Sequence, residues 1–213
     1  MRMALAKGYL MGESLKKLEA LGYRMPAEKE RGRRLTFSDA DSKIKFMIIR
    51  PTDVPVYVER GGADLGIVGK DVLEETGASV VELLDLGFGP CRLVFAVPEK
   101  SRLRTLADVP AHLKIATKFP QSAARFFAGR GLSVELVKLY GSVELAPQMG
   151  LADGIVDLVA TGETLRAHGL RVVTELLRST ARLVANRVSW KTHFDSIYRL
   201  QQQLAAGWEG GHS

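Results

Sequence analysis

The stretch at residues 144–165, ELAPQMGLADGIVDLVATGETL, limits the possible folds more than any other part of the chain. Residues 144–151 carry apolar side chains at helical spacing. Gly154–Val159 (GIVDLV) is a β-branched, mostly apolar run with one acid, Asp157, set into it. Thr161-Gly162-Glu163-Thr164 follows, and then a helical pattern, TLRAHGL. A buried strand, a tight turn of small hydroxylated residues and a new helix form the repeating unit of α/β folds. They also make a seat for a phosphomonoester. The first-turn N–H groups of a helix have no internal partners, and the positive end of its dipole faces the turn. Thr161 and Thr164 add hydroxyl donors, and Gly162 removes the side chain that would block close approach. Asp157, near the end of the strand, suits sugar hydroxyls, from which a carboxylate accepts directly. The same residues also suit an N-capped helix without a ligand, with Thr161 as the cap.

The remaining chain repeats this unit. Residues 3–6 are a short apolar run closed by Lys7-Gly8, and helical periodicity spans residues 13–21. Strands are predicted near residues 35–38 and over residues 43–49. Arg50-Pro51 ends the second, because proline cannot donate to a ladder. A helix over residues 54–60 stops at Gly61-Gly62, residues 65–68 form the next strand, and Gly69 opens a turn into a helix over residues 71–76. Residues 80–97 read as a strand, a bend and a second strand that crosses between two lobes. The strand LKIAT, a helix over residues 121–129 and a strand over residues 134–139 resume the pattern. Residues 172–188 read as extended chain returning to the first lobe, and residues 190–206 as a terminal helix. Such repetition predicts parallel sheets, with ligands outside the carboxyl ends of the strands. Gly8, Arg50, Gly69 and Thr161 all fall at such ends. The expected division is a discontinuous first lobe, residues 1–91 and 172–213, and a second lobe, residues 92–171, carrying the 161–164 loop.

Charge and composition narrow the function classes. The net charge of +6 admits nucleic acid, anionic membranes or polyphosphorylated small molecules. Part of the excess is local, in Arg24, Lys29, Arg31, Arg33, Arg34, Lys43, Lys45 and Arg50, with no interleaved aromatics and no RNA-recognition or zinc-finger motif. Polyphosphate substrates explain such a cluster with fewer assumptions, so neither nucleic acid nor membrane is expected as a partner. No apolar run approaches the ~18 residues of a membrane span, and the start shows no signal-peptide core. The single cysteine, Cys91, excludes an internal disulfide and suits a reducing cytoplasm. His112, His168, His193 and His212 show no ligand spacing.

Taken together, Glu144, Gly150, Ala152, Ile155, Asp157, Thr161, Gly162, Thr164 and Leu165 resemble the signature of ATP phosphoribosyltransferases, the enzymes that open histidine biosynthesis. Arg50-Pro51-Thr52-Asp53-Val54-Pro55, the run from Gly61 to Asp71, the run from Leu86 to Leu93, Ile115-Ala116-Thr117-Lys118 and Tyr140-Gly141-Ser142 extend the likeness over residues 3–188. The resemblance implies two lobes with a cleft, of the periplasmic-binding-protein type II architecture. It implies condensation of ATP with 5-phosphoribosyl-1-pyrophosphate, aided by Mg²⁺. Thr161, Gly162, Glu163 and Thr164 match the family's 5-phosphate loop, and Asp157 and Glu144 match acids near the ribose hydroxyls and metal. Arg50 matches a basic residue near the nucleotide, Arg33 (with Arg34 its neighbour) the arginine near the leaving pyrophosphate, and Lys7 and Gly8 the first βα turn, where polyphosphate is held. The family usually has arginine after that Lys-Gly pair. Here Tyr9 supplies a hydrogen-bond donor but no charge. The resemblance is to the short form, whose partner is a histidyl-tRNA-synthetase-like regulatory subunit in a hetero-oligomer. The alternative is a non-catalytic two-lobed binding or sensor module.

Overall fold

The computed structural model describes residues 1–25, 35–39 and 44–209. Arg31, Arg33, Arg34 and Lys43 therefore lie outside the described residues. The chain divides into two compact units, Met1–Gly89 with Thr180–Ser213, and Pro90–Ser179.

The first unit is built on one mixed sheet. Its strands are β1 (Arg2–Ala6), β2 (Thr36–Asp39), β3 (Ile44–Ile49), β4 (Leu65–Gly69), β5 (Val81–Asp85) and β11 (Ala181–Ala185), in the order β2-β3-β1-β4-β11-β5. β3, β1 and β4 run parallel, whereas β2 and β11 pair antiparallel to their neighbours. The alternation in β1 shows how the sheet is covered on both faces. Met3 and Leu5 enter a core with Leu15 and Leu18 of helix α1 (Met11–Ala20), and Ala4 and Ala6 enter another with Val54 and Val58 of α2 (Val54–Glu59). α3 (Lys70–Thr76) follows β4 and ends at Gly77, whose left-handed φ of 60° closes the helix.

The second unit repeats the plan with strands β6 (Cys91–Pro98), β7 (Leu113–Thr117), β8 (Val134–Lys138), β9 (Gly154–Val159) and β10 (Leu170–Ser179), ordered β10-β6-β9-β7-β8. β9, β7 and β8 are parallel, and β6 and β10 are antiparallel additions. Helix α4 (Pro120–Ala128) packs Ala123 and Phe127 on one face of this sheet. Val143, Ala146 and Leu165 cover the other, Leu165 from the short helix α5 (Glu163–Ala167).

Four expectations change. Residues 172–179 do not return to the first lobe: they continue β10, which pairs along β6 from Leu170 to Ser179, and only β11 joins the first sheet. The expected helix over residues 144–151 is a single 3₁₀ turn, Val143–Leu145, followed by turns, because Pro147 has no N–H to donate and Gly150 takes a φ of 70°. The terminal helix is two, α6 (Arg187–Thr192) and α7 (Phe194–Glu209). Asn186 starts the first earlier than expected, its side-chain oxygen accepting from the N–H groups of Val188 and Ser189 at 2.9 and 3.0 Å. Finally, Gly162 and not Thr161 occupies the N-cap position of α5.

Candidate functional site

The alternation of β9 decides where Asp157 stands. Ile155 and Val159 share one core, Val156 and Leu158 the other, so Asp157 lies on the face covered by Val143, Ala146 and Leu165. Its side chain is only 17% exposed. Burial is the main cause that raises its carboxyl above the usual carboxylate range, and the charge of Glu144 adds to the rise. Two features oppose it: the Lys118 ammonium, with Nζ 3.9 Å from Oδ1, and the Leu158 N–H, which donates to Oδ1 at 2.9 Å.

Neighbouring strands aim the other groups. Thr117, fully buried at the end of β7, donates its hydroxyl to the Val156 carbonyl at 2.7 Å and accepts the Phe119 N–H at 2.9 Å. The first bond ties the ends of β7 and β9 together, and the second fixes the backbone on either side of Lys118, which stands beside Asp157. Beyond β8, Ser142 takes a left-handed backbone (φ 48°), a conformation that costs a non-glycine residue about 1–3 kcal/mol. Buried Val143 then anchors the turn that carries half-buried Glu144. On the far side of β9, Gly162 has a φ of 82°, which only glycine adopts without strain. Thr161 Oγ1 lies 3.4 Å from the Glu163 N–H that it accepts, a long bond that leaves the hydroxyl open to other partners.

Lys118, Ser142, Glu144, Asp157, Thr161, Gly162 and Thr164 thus line one cavity of about 340 Å³, entirely within the second unit. Five residues singled out from the sequence come together there: Glu144, Asp157, Thr161, Gly162 and Thr164. Glu163 does not line the cavity; its side chain is exposed, and its backbone N–H faces Thr161. Of the polar side chains lining the cavity, those of Lys118 and Ser142 have no role assigned from the sequence. Lys118 carries a sequence signal, standing one place after a strand whose last residue, Thr117, is fully buried.

Lys7, Gly8 and Arg50 belong to the first unit. Ala6 pairs with Ile49 across β1 and β3, and the Lys7 N–H donates to the Ile49 carbonyl at 2.8 Å. Lys7 and Arg50 therefore emerge from the same edge of that sheet, both exposed. Gly8 has a φ of 102°, and a Cβ added to it would meet no atom within 4 Å. Tyr9 is 70% exposed.

The family model for ATP phosphoribosyltransferase matches residues 50–206. An ATP phosphoribosyltransferase of Moorella thermoacetica is 49% identical over 98% of this chain and 94% of its own length. The chain belongs to the ATP phosphoribosyltransferase family. The ATP phosphoribosyl transferase (HisG:HisZ) complex from Thermotoga maritima contains a similar fold, with a TM-score of 0.84 at 31% identity, covering 99% of both chains. The periplasmic aliphatic sulphonate binding protein SsuA from Escherichia coli shares the fold alone, with a TM-score of 0.63 at 20% identity over 97% of this chain and 72% of that one. The architecture is thus the two-lobed one of type II periplasmic binding proteins, and the enzyme reading prevails over the binding-module alternative. As an ATP phosphoribosyltransferase, the protein condenses ATP with 5-phosphoribosyl-1-pyrophosphate, the first step of histidine biosynthesis. Metal dependence is a general trait of the family. Among the described residues, no helix is long and apolar enough to cross a membrane.

Asp157 generates a test in which stability and activity move in opposite directions. A carboxyl whose folded-state pKa is raised binds more protons in the native state than in the unfolded one. Its contribution therefore weakens the fold as pH rises from the ordinary carboxylate range, and the penalty is complete once pH exceeds the raised value. Asp157→Asn should raise the melting temperature at pH 7, with the gain shrinking as pH falls through the raised value to the ordinary carboxylate range. It should lower kcat/KM by roughly ten- to a hundredfold, the scale of one charge-assisted hydrogen bond. Calorimetric scans across pH, paired with initial rates, measure both. A loss of stability at pH 7 would contradict the assignment of Asp157 as a costly, functional carboxylate.

Proposed function

We propose that the cavity of the second unit binds the phosphoribosyl donor. The hydroxyls of Thr161 and Thr164, with the backbone at Gly162 and Glu163, take the 5-phosphate, and Asp157 accepts hydrogen bonds from the ribose hydroxyls. The observation that carries this reading is the convergence of a small hydroxylated loop and two carboxylates on one cavity. A hydroxylated turn matches a phosphate, and acids match sugar hydroxyls.

Glu144 and Asp157 also suit Mg²⁺. Their proximity is reflected in the rise that Glu144 causes in the Asp157 carboxyl, and hard carboxylate oxygens are the donors that this ion prefers. Among the described residues no group of three or more His, Cys, Asp or Glu gathers to hold a metal. Phosphate oxygens and water would then supply its remaining ligands, as is usual for Mg²⁺ bound with phosphorylated substrates. When bound, the ion would offset charge on the pyrophosphate.

Lys7 and Gly8 are assigned to the polyphosphate of ATP, Arg50 to the nucleotide, and Arg33 to the departing pyrophosphate. The adenine N1 lone pair forms the new bond to C1 of the ribose as the C1–O bond breaks, and that oxygen leaves with the electron pair on pyrophosphate. N1 already owns its lone pair, so positioning and charge stabilisation matter more than a strong base. We also assign the protein to the cytoplasm. By extension from the HisG:HisZ complex, we assign it a histidyl-tRNA-synthetase-like regulatory partner.

Two experiments test these assignments. Replacing Thr161 and Thr164 together by valine keeps size and β-branching and removes two donors to a dianion. Apparent affinity for the phosphoribosyl donor should fall at least about tenfold, with much less change for ATP; an unaltered Michaelis constant for the donor would rule the loop out. For the partner, histidine should inhibit strongly only after a histidyl-tRNA-synthetase-like subunit is added. Strong inhibition of the isolated chain would place the histidine site on the wrong protein.

A further inference from the structure

Lys118 is the only cation among the described residues that line the cavity, and no role above uses it. Its backbone is held by the Thr117 hydroxyl, which bridges β7 and β9, so the side chain starts from a fixed point. The ammonium itself is not held. It makes no hydrogen bond among the described residues, its side chain is 41% exposed, and the 3.9 Å to Asp157 Oδ1 exceeds hydrogen-bond range. The pair is one of charge alone, and a lysine stem with three rotatable donors can leave it without moving the backbone.

A charge inventory says where it would go. The donor carries two anionic groups, a 5-phosphate and a pyrophosphate on C1. The hydroxylated loop answers the first. The second adds charge to a cavity that already holds Glu144 and Asp157, whose two carboxylates by themselves balance an Mg²⁺ held there, so pyrophosphate calls for a further cation. We propose that Lys118 recognises the pyrophosphate end of the donor, its ammonium exchanging the Asp157 carboxylate for pyrophosphate oxygens as the donor binds. The exchange frees Asp157 for the ribose hydroxyls and makes Lys118 a specificity residue that separates a pyrophosphorylated ribose from ribose 5-phosphate. This inference rests on the reading of the cavity as the donor site.

The test compares two ligands at fixed Mg²⁺ by calorimetry: 5-phosphoribosyl-1-pyrophosphate, and ribose 5-phosphate, which lacks the C1 pyrophosphate. Lys118→Met keeps the stem and removes the charge; Lys118→Gln serves if that variant does not fold. Affinity for the pyrophosphorylated donor should fall at least about tenfold, while ribose 5-phosphate changes less than about twofold. Lys118→Arg should retain most of the donor affinity. Equal losses for both ligands would mean that Lys118 acts only through Asp157, and no loss for either would mean that it acts on neither; each result overturns the proposal. The double valine variant of Thr161 and Thr164 runs alongside. If it loses affinity for neither ligand, the donor-site reading itself fails, whatever Lys118 does.

Discussion

The carboxylate of Asp157 is set where a charge costs most, near the end of a buried parallel strand, and the cavity is arranged around that cost. Burial pushes its carboxyl toward the neutral form, and Glu144 pushes the same way. Among the described residues, the Leu158 N–H and the Lys118 ammonium resist. Hydrophobic packing alone would favour an apolar residue at this position, as at Ile155 and Val159 on the same face. An acid kept there at the expense of stability marks a candidate functional group. The strained backbone of Ser142, which introduces the Glu144 turn, is a second local cost at the same cavity.

Both units present their candidate site residues at the same kind of place, the carboxyl edge of parallel strands. In the first unit the register of β1 on β3 brings Lys7 and Arg50 out side by side. In the second, the parallel trio β9, β7 and β8 delivers Asp157, Lys118 and the segment leading to Glu144 to one edge. Antiparallel strands flank each trio without supplying any of these residues. The arrangement follows the general rule that open α/β sheets bind ligands outside the carboxyl ends of their strands.

What was legible in the chain was local. Gly154–Val159 reads as a strand because its β-branched run is short and bounded by turns, and the period of two places Asp157 on one face. The glycine of the 161–164 loop was legible as well, since the positive φ of Gly162 is what such a turn requires. The non-local pairings were not. Residues 172–179 have the same extended character as β11, and nothing within them says that their partner is β6, far back in the sequence. The Asn186 cap is a local signal, an amide oxygen that ends the extended run at Ala185 by accepting from the N–H groups of Val188 and Ser189. Lys118 escaped assignment because its meaning depends on Asp157, which sits on another strand. Arg33 lies outside the described residues, so its role rests on resemblance alone.

The central claim is that residues 142–144 and 160–165 close around the phosphoribosyl donor. Amide hydrogen exchange with 5-phosphoribosyl-1-pyrophosphate and Mg²⁺ tests it most directly, since it reads backbone N–H groups one segment at a time. Within the second unit, protection should rise in those two segments and stay unchanged in α4, which packs on the opposite face of the sheet. Saturating donor that leaves the exchange of residues 160–165 unaltered would contradict the account.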